Sequence, residues 1–245
     1  PGSSADGHPN SVHWSRLKMS FASATNAGRR GGFPPATRTL LILNSLVFLA
    51  QQLFGETWLI DFMLWPAGDW PAGYADGQLV TVGFMPWQLL SYGFIHGGLS
   101  HLLFNMLAIY MFGAALEMVW GSRRTMIYVL GCIAGAGLVQ LLVATHAVSN
   151  GELYPTVGAS GGVFGVLLAF GMQFPNRQVM LLIPPIPMKA STLVVVYGVL
   201  ELLLGVSGTQ SGVAHFAHLG GMAAGFLILQ YWRGRWPFRR RSGLR

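Results

Sequence analysis

Six apolar stretches constrain the fold of this chain more than any other feature of its sequence. Lipid satisfies no backbone hydrogen-bonding groups, and the stretches lack the alternation of barrel strands, so each is predicted to be a helix. The fourth is short, with about 15 residues against the roughly 20 that a full span needs. We therefore predict an all-α membrane protein, a bundle of six transmembrane helices. The stretches run roughly over residues 38–54, 97–117, 125–146, 160–174, 189–205 and 213–231.

The low content of charged residues excludes an ordinary soluble domain. Only 9% of the 245 residues are charged, whereas soluble domains usually carry about 25%. The one cysteine, Cys132, lies within an apolar stretch and is expected to be a small buried side chain. Neither an intrachain disulfide nor a cysteine metal site is therefore available.

The distribution of basic residues predicts the orientation of the chain. All 15 lysines and arginines lie in the N-terminal segment, at the connections after the second and fourth stretches, or in the C-terminal tail. The other connections have no basic residue. By the positive-inside rule, both termini are expected in the cytoplasm of a multi-pass protein of the inner cell membrane. The same distribution accounts for the net charge of +7, so nucleic acid is not expected as a partner.

Four segments are expected along the chain. Residues 1–18 resemble a remnant of recombinant expression, because Met19 is a credible native start. Residues 19–36 are expected to form a flexible cytoplasmic segment, and residues 37–234 the membrane domain. Residues 235–245 are expected to form a basic cytoplasmic tail.

The first external connection, about residues 55–96, is long and rich in aromatic side chains. Tryptophan prefers the headgroup region of a bilayer, so this loop is predicted to lie in the membrane interface. Its tryptophans are Trp58, Trp65, Trp70 and Trp87.

Four of the polar residues inside the apolar stretches are the first candidates for function: His101 and Asn105 in the second, Ser160 at the start of the fourth, and His218 in the sixth. Polar residues in a membrane span are costly and are functional candidates by default. The second, fourth and sixth stretches all enter from the outer face. At 1.5 Å per residue, this places the four within roughly the outer third of the bilayer. Together they suggest a nucleophile, a base and oxyanion donors, which is the chemistry of peptide-bond hydrolysis.

Two glycine patterns would allow the fourth and sixth helices to approach closely. Gly161 and Gly165 form one G-x-x-x-G pattern, and Gly221 and Gly225 form the other. Larger side chains there would hold the Ser160 hydroxyl out of reach of His218. Free N–H groups at the helix start would also favour negative charge beside Ser160.

In order, spacing and sidedness, these motifs resemble those of the rhomboid intramembrane serine proteases, from about residue 38 to residue 234. Each motif alone is weak, but the ordered set on alternate spans is specific. The matching elements are Trp87, His96-Gly-Gly-Leu-Ser-His101-Leu-Leu-Phe-Asn105, Gly113-Ala-Ala-Leu-Glu117, Gly121-Ser122, Gly158-Ala-Ser160-Gly161 and Ala217-His218-Leu-Gly-Gly221-Met-Ala-Ala-Gly225.

The resemblance implies a Ser–His dyad without a third carboxylate, acting through an acyl-enzyme intermediate. Ser160 would be the nucleophile and His218 the base, with Asn105 and His101 serving the oxyanion hole. Substrates would be single-span membrane proteins cut near the outer boundary of the membrane, and no cofactor is implied. The fifth helix and the cap near residues 206–212 are the elements that would move to admit substrate. The resemblance does not predict the physiological substrate or the oligomeric state.

Some residues depart from the family pattern or leave their role open. Gln88 follows Trp87 where the family often has arginine, which puts anchoring by that arginine in doubt. His215 lies one turn before His218, but only His218 has glycines at +3 and +7. Glu201 lies inside the fifth stretch, where it could be protonated, orient a neighbour or act as a third catalytic member. Glu117 is expected to cap a helix or pair near Arg123 or Arg124.

Alternatives remain for single residues and for the whole chain. The ring of His101 could instead hydrogen-bond carbonyl groups of the loop and so support it, and Asn105 could hydrogen-bond between helices. The chain could be a catalytically silent rhomboid-like protein that binds membrane helices. It could also be a transporter that uses His101, His218 and Glu201, although no inverted repeat is visible.

Overall fold

The computed structural model describes residues 33–75, 77–180, 185–207 and 214–234. The expected leader 1–18, most of segment 19–36, the basic tail 235–245 and most of the cap 206–212 lie outside these residues. A helix lies at each of the six predicted positions. They are α1 (Pro35–Phe54), α2 (Leu99–Trp120), α3 (Ser122–Val148), α4 (Ser160–Gln173), α5 (Ala190–Ser207) and α6 (His215–Trp232).

Four of these helices, α1, α2, α3 and α5, are long and apolar enough to cross a membrane. Helix α4 is apolar but has only 14 residues, in agreement with its prediction as a short helix. Many large apolar side chains on α1 and α5 are exposed, as lipid-facing residues would be. They include Leu46, Leu49, Leu53, Val195, Leu202 and Val206.

The boundaries of the first helices follow from local chemistry. Helix α1 begins at Pro35, whose ring fixes a helical φ and lacks an N–H that would need a partner. Helix α2, which includes a π-helical segment at Ile109–Gly113, ends before Gly121, whose φ is 79°. This left-handed conformation terminates a helix at little cost only in glycine. Helix α3 begins immediately afterwards.

Helix α4 is the centre of the bundle, and its glycines face three neighbouring helices. A Cβ at Gly162 would lie 2.8 Å from Cγ1 of Ile133 in α3. A Cβ at Gly171 would overlap Val194 in α5, and one at Gly165 would meet Cys132 and the backbone of α6. Close packing of this kind replaces the hydrophobic effect as the source of helix association in lipid.

Glu117, near the end of α2, caps the start of α1, although the two are far apart in sequence. Its carboxylate accepts hydrogen bonds from the backbone N–H groups of Ala36 (2.8 Å) and Thr37 (2.7 Å). It also accepts from the hydroxyls of Thr37 (2.7 Å) and Ser122 (2.6 Å). The expected capping role is thus found. However, the partners are the start of α1 and Ser122, rather than Arg123 or Arg124.

The chain is mostly helical, but the prediction of an all-α protein missed two small antiparallel sheets. One is a hairpin of β1 (Asp69–Ala75) and β2 (Gln78–Gly83) in the first loop. The other pairs β3 (Gln178–Met180) with β4 (Pro187–Lys189) before α5. Three of residues 79–82 are β-branched, which favours a strand, but the strand is too short to stand out as a long apolar run.

The first loop has an apolar cluster of its own, in which Ile95 is buried with loop residues. Gln88 is buried and joins three parts of the loop. Its Oε1 accepts from the N–H of Trp65 (3.2 Å), and its Nε2 donates to the carbonyl groups of Asp61 and Gly83 (3.2 Å each). Gln88 therefore stabilises the loop from within. The cluster consists of Leu59, Met63, Trp65, Val82 and Ile95.

Candidate active site

Ser160 and His218 are in direct contact. Ser160 is the first residue of α4, and His218 lies in the first turn of α6. Nε2 of His218 lies 2.8 Å from Oγ of Ser160, which is the distance expected between a nucleophile and its base. His215 is directed elsewhere, so the structure brings the second of the two histidines to the serine.

Glycines hold α4 and α6 at the separation that this contact requires. A Cβ at Gly221 would overlap the carbonyl group of Gly161, and one at Gly225 would overlap the hydroxyl of Tyr128 in α3. That hydroxyl donates a 2.8 Å hydrogen bond to the carbonyl oxygen of Gly165. Gly161, Gly165, Gly221 and Gly225 thus all lie at close contacts of α4 or α6.

Phe164 holds the histidine ring from one side. The rings of Phe164 and His218 are stacked with their centroids 4.2 Å apart and an angle of 8° between their planes. Phe164 follows Ser160 by four residues, so both side chains lie on the same face of α4. Phe164 is not among the residues predicted from the sequence, although its spacing from Ser160 could have indicated it.

Glu201 lies on the far side of His218 from the serine. Its Oε2 is 2.7 Å from Nδ1 of His215 and 2.9 Å from Nδ1 of His218. The first contact has hydrogen-bond geometry. The second contact is at hydrogen-bonding distance but is less well aligned than the first. The carboxylate is therefore shared between two histidines of α6.

This group is arranged as hydrogen-bonding partners rather than as metal ligands. Among the described residues, Glu201, His215 and His218 each offer a ligand atom within 4.8 Å of the others. Two ligands of one zinc ion, each about 2.0–2.2 Å from it in a tetrahedron, would be roughly 3.3 Å or more apart. The observed 2.7 and 2.9 Å separations are shorter than that.

His101 and Asn105 lie one turn apart on α2, close to the start of α4. The side-chain amide of Asn105 is buried and donates to the carbonyl oxygen of His101 (2.9 Å). The ring of His101 packs on Gly158, where a Cβ would lie 2.6 Å from Cε1 of His101. Gly158 also has a φ of 125°, so a larger residue there would be strained as well as crowded. The ring of His101 therefore lies against the backbone that leads into Ser160.

His96 supports the same region from the loop. Its backbone N–H donates to Oε1 of Gln51 in α1 (3.1 Å), and its carbonyl oxygen accepts from Nε2 of Gln51 (3.0 Å). Its ring is buried edge-on against that of His101, with the centroids 5.2 Å apart. Burial, with the nearby His101 ring adding to it, lowers the pKa of His96 to about 4.

Comparison with known proteins shows which family this chain is similar to. Residues 83–234 match the family model described as "Rhomboid domain". RHOMBOID-like protein 4 of Arabidopsis thaliana is 34% identical over 158 residues, which cover 64% of this chain and 36% of that relative. Rhomboid protease GluP of Bacillus subtilis is 28% identical over 199 residues, 80% of this chain and 34% of the relative. Rhomboid protease AarA of Providencia stuartii is 28% identical over 224 residues, 78% of this chain and 70% of the relative.

The first two of these relatives are much longer than the matched region. The chain spans about a third of the length of each, 36% and 34%. The match to the family model and the apolar helices together establish a multi-pass membrane protein.

Proposed function

This chain belongs to the rhomboid family, and on that premise we propose that it is an intramembrane serine endopeptidase. The observation that carries the proposal is the 2.8 Å contact between Nε2 of His218 and Oγ of Ser160. Its substrates are proposed to be single-span membrane proteins, which reach the site from the surrounding bilayer.

In the proposed first step, Ser160 Oγ attacks the carbonyl carbon of the scissile peptide bond while His218 Nε2 takes the hydroxyl proton. The tetrahedral intermediate then collapses. Its C–N bond breaks, His218 returns the proton to the departing amine, and an ester of Ser160 remains. Water, deprotonated by His218, then attacks the ester carbon. The bond from that carbon to Oγ breaks, His218 returns the proton to Ser160, and the new carboxyl terminus is released.

The negative charge of the tetrahedral intermediate needs donors close to Ser160. The free backbone N–H groups at the start of α4 favour an anion there. The amide of Asn105 has two N–H groups, and the hydrogen bond to His101 uses one of them. We propose that the other N–H of Asn105, the ring of His101 and the N–H of Ser160 form the oxyanion hole.

Topology supports an active site near the outer face. The proposal is that all six helices cross or enter the bilayer, with both termini in the cytoplasm of the inner cell membrane. Ser160 then opens a short helix below the outer surface. The irregular backbone before it is tolerated because protein surrounds it. The first loop, with Trp58 and Trp87 exposed, is proposed to lie in the outer interface.

Cleavage of a generic single-span substrate by the purified chain in detergent tests the proposal. Ser160→Ala and His218→Ala should each abolish the product. His146→Ala and Ser149→Ala, changes of the same types at the end of α3, should retain it. Intact substrate that co-purifies with an inactive wild type would instead favour the silent helix-binding protein. Solute flux in vesicles would favour the transporter.

A further inference from the structure

Glu201 is a carboxylate at a depth where a charge is expensive. It is the only charged residue of α5, and its side chain is buried while Leu200, Leu202 and Leu203 beside it are exposed. An ionisable residue inside a membrane span costs several kcal/mol unless it has partners. The contacts of Glu201 with His215 and His218 of α6 offset the cost of burying its charge.

Glu201, His218 and Ser160 follow one another in a line of close contacts. Oε2 of Glu201 is 2.9 Å from Nδ1 of His218, and Nε2 of the same ring is 2.8 Å from Oγ of Ser160. The carboxylate thus faces the one ring nitrogen that the serine does not use. A base that takes a proton at Nε2 needs its other proton at Nδ1, and an acceptor beside Nδ1 selects that tautomer.

We propose that Glu201 is a positioning residue for His218, an inference that rests on the proposed protease function. Glu201 holds the proton of His218 on Nδ1, leaves Nε2 free to accept the proton of Ser160, and stabilises the ring while it is positively charged. In this role the Nδ1–H of His218 aligns with Oε2 of Glu201, which already lies 2.9 Å from Nδ1.

His215 keeps the carboxylate in place for this role. Its Nδ1 makes the better-aligned hydrogen bond to Oε2, at 2.7 Å, from one turn earlier on α6. His215 and His218 face Glu201 from the same helix, so α5 has to pack on α6 for either contact to form. The alternative is that Glu201 merely ties α5 to α6 through His215.

The two roles differ in what they predict for kinetics. In the full-length chain in detergent, we expect Glu201→Gln to lower kcat for a single-span substrate by about 10- to 100-fold. This is less than the ~10⁴-fold of an Asp→Asn change in a complete triad, since the family resemblance implies that a dyad functions alone. KM should change by less than about twofold, because Glu201 does not touch substrate. His215→Gln, which leaves Glu201 beside His218, should lower kcat much less.

If Glu201→Gln folds poorly, a conservative variant and measurements of thermal stability distinguish the two roles. Glu201→Asp retains the charge but withdraws it by one methylene group, and it should recover part of the kcat. Equal losses of thermal stability in Glu201→Gln and His215→Gln, with kcat per folded molecule unchanged, would show a tie between helices and overturn the positioning role. Full activity in Glu201→Gln, with loss in Ser160→Ala, would also overturn this role alone. Activity that survives Ser160→Ala would overturn the protease function and this inference together.

Discussion

Gly221 in α6 packs directly against the carbonyl oxygen of Gly161 in α4, with no room for a Cβ between the two helices. Gly161 follows Ser160, and Gly221 follows His218 by less than one turn. The distance between the side chains of Ser160 and His218 is therefore set by the contact between the backbones of α4 and α6.

The first prediction concerns this contact. Gly221→Ala should push α6 away from α4, lower cleavage activity at least about 10-fold and destabilise the protein by about 1–3 kcal/mol, as overpacking does. Kinetics and thermal unfolding in detergent measure both effects. The matched control is Gly198→Ala in α5, where a Cβ would lie 3.5 Å from Cε of Met222, an ordinary contact. If Gly221→Ala and Gly198→Ala had the same activity and stability, the contact between Gly221 and Gly161 would not set the distance between Ser160 and His218.

The second prediction concerns the ring that stacks on His218. Phe164→Leu should lower kcat several-fold with little change in KM, because the imidazole loses the flat surface that orients it. Phe164→Tyr, which keeps the ring, should be close to wild type. Phe226→Leu, at an exposed position of α6, serves as the control. A change confined to KM would indicate that Phe164 contacts substrate instead.

The third prediction concerns pH and His96. The unfolded chain protonates this residue near its ordinary pKa of about 6.5, whereas the folded chain does so only near a pKa of about 4. The stability that depends on neutral His96 is thus present above pH 6.5 and is lost as the pH falls toward 4. The loss amounts to about 3 kcal/mol at 1.36 kcal/mol per pKa unit.

His96→Phe should flatten that dependence. Its ring nitrogens make no well-aligned hydrogen bond among the described residues, and the contact with the backbone of Phe94 only partly opposes the lowering of the pKa of His96. At pH 7.5 the variant should therefore unfold within about 1 kcal/mol of wild type. Thermal unfolding from pH 7.5 to pH 4.5 should show a smaller decrease for the variant. Parallel curves would mean that other groups cause the acid sensitivity.

The fourth prediction concerns the carboxylate that caps α1. Glu117→Ala should destabilise the protein by about 2–4 kcal/mol, because it leaves buried donors of α1 without a partner. Glu117→Gln, which retains one acceptor oxygen, should cost less. Activity per folded molecule should change little, since Glu117 lies at the opposite end of α2 from His101. Glu152→Gln, an exposed acidic position, controls for the loss of charge. A kcat effect larger than the stability effect would argue against a purely structural role.

The sequence predicts helix positions well because an apolar run is a local property. Helix α4 is confirmed as a short helix that begins at Ser160. The hairpin in the first loop was missed because its strands are too short for that criterion. Gly77, between the strands, has a φ of 76°, and a turn glycine of this kind was the available signal.

The site was predictable only in part because its residues lie on different helices. The spacing of glycines around Ser160 and His218 anticipated their approach, and their catalytic roles stay predictions. The contact of Glu201 with His218 could not be derived, since the rotation of α5 about its own axis does not follow from an almost uniformly apolar sequence. The four-residue spacing places Phe164 on the same face of α4 as Ser160, but Phe164 was overlooked because this spacing alone does not show that His218 packs on that face.

The capping of α1 by Glu117 has a consequence for biosynthesis. The acceptor for the first N–H groups of α1 is encoded 80 and 81 residues downstream of them. At 5–20 residues per second, about 4–16 s separate the synthesis of the donors from that of their acceptor. Throughout that interval the first turn of α1 lacks this acceptor. The N-terminal end of α1 therefore becomes fully bonded only after the next helix has been made and has packed beside it.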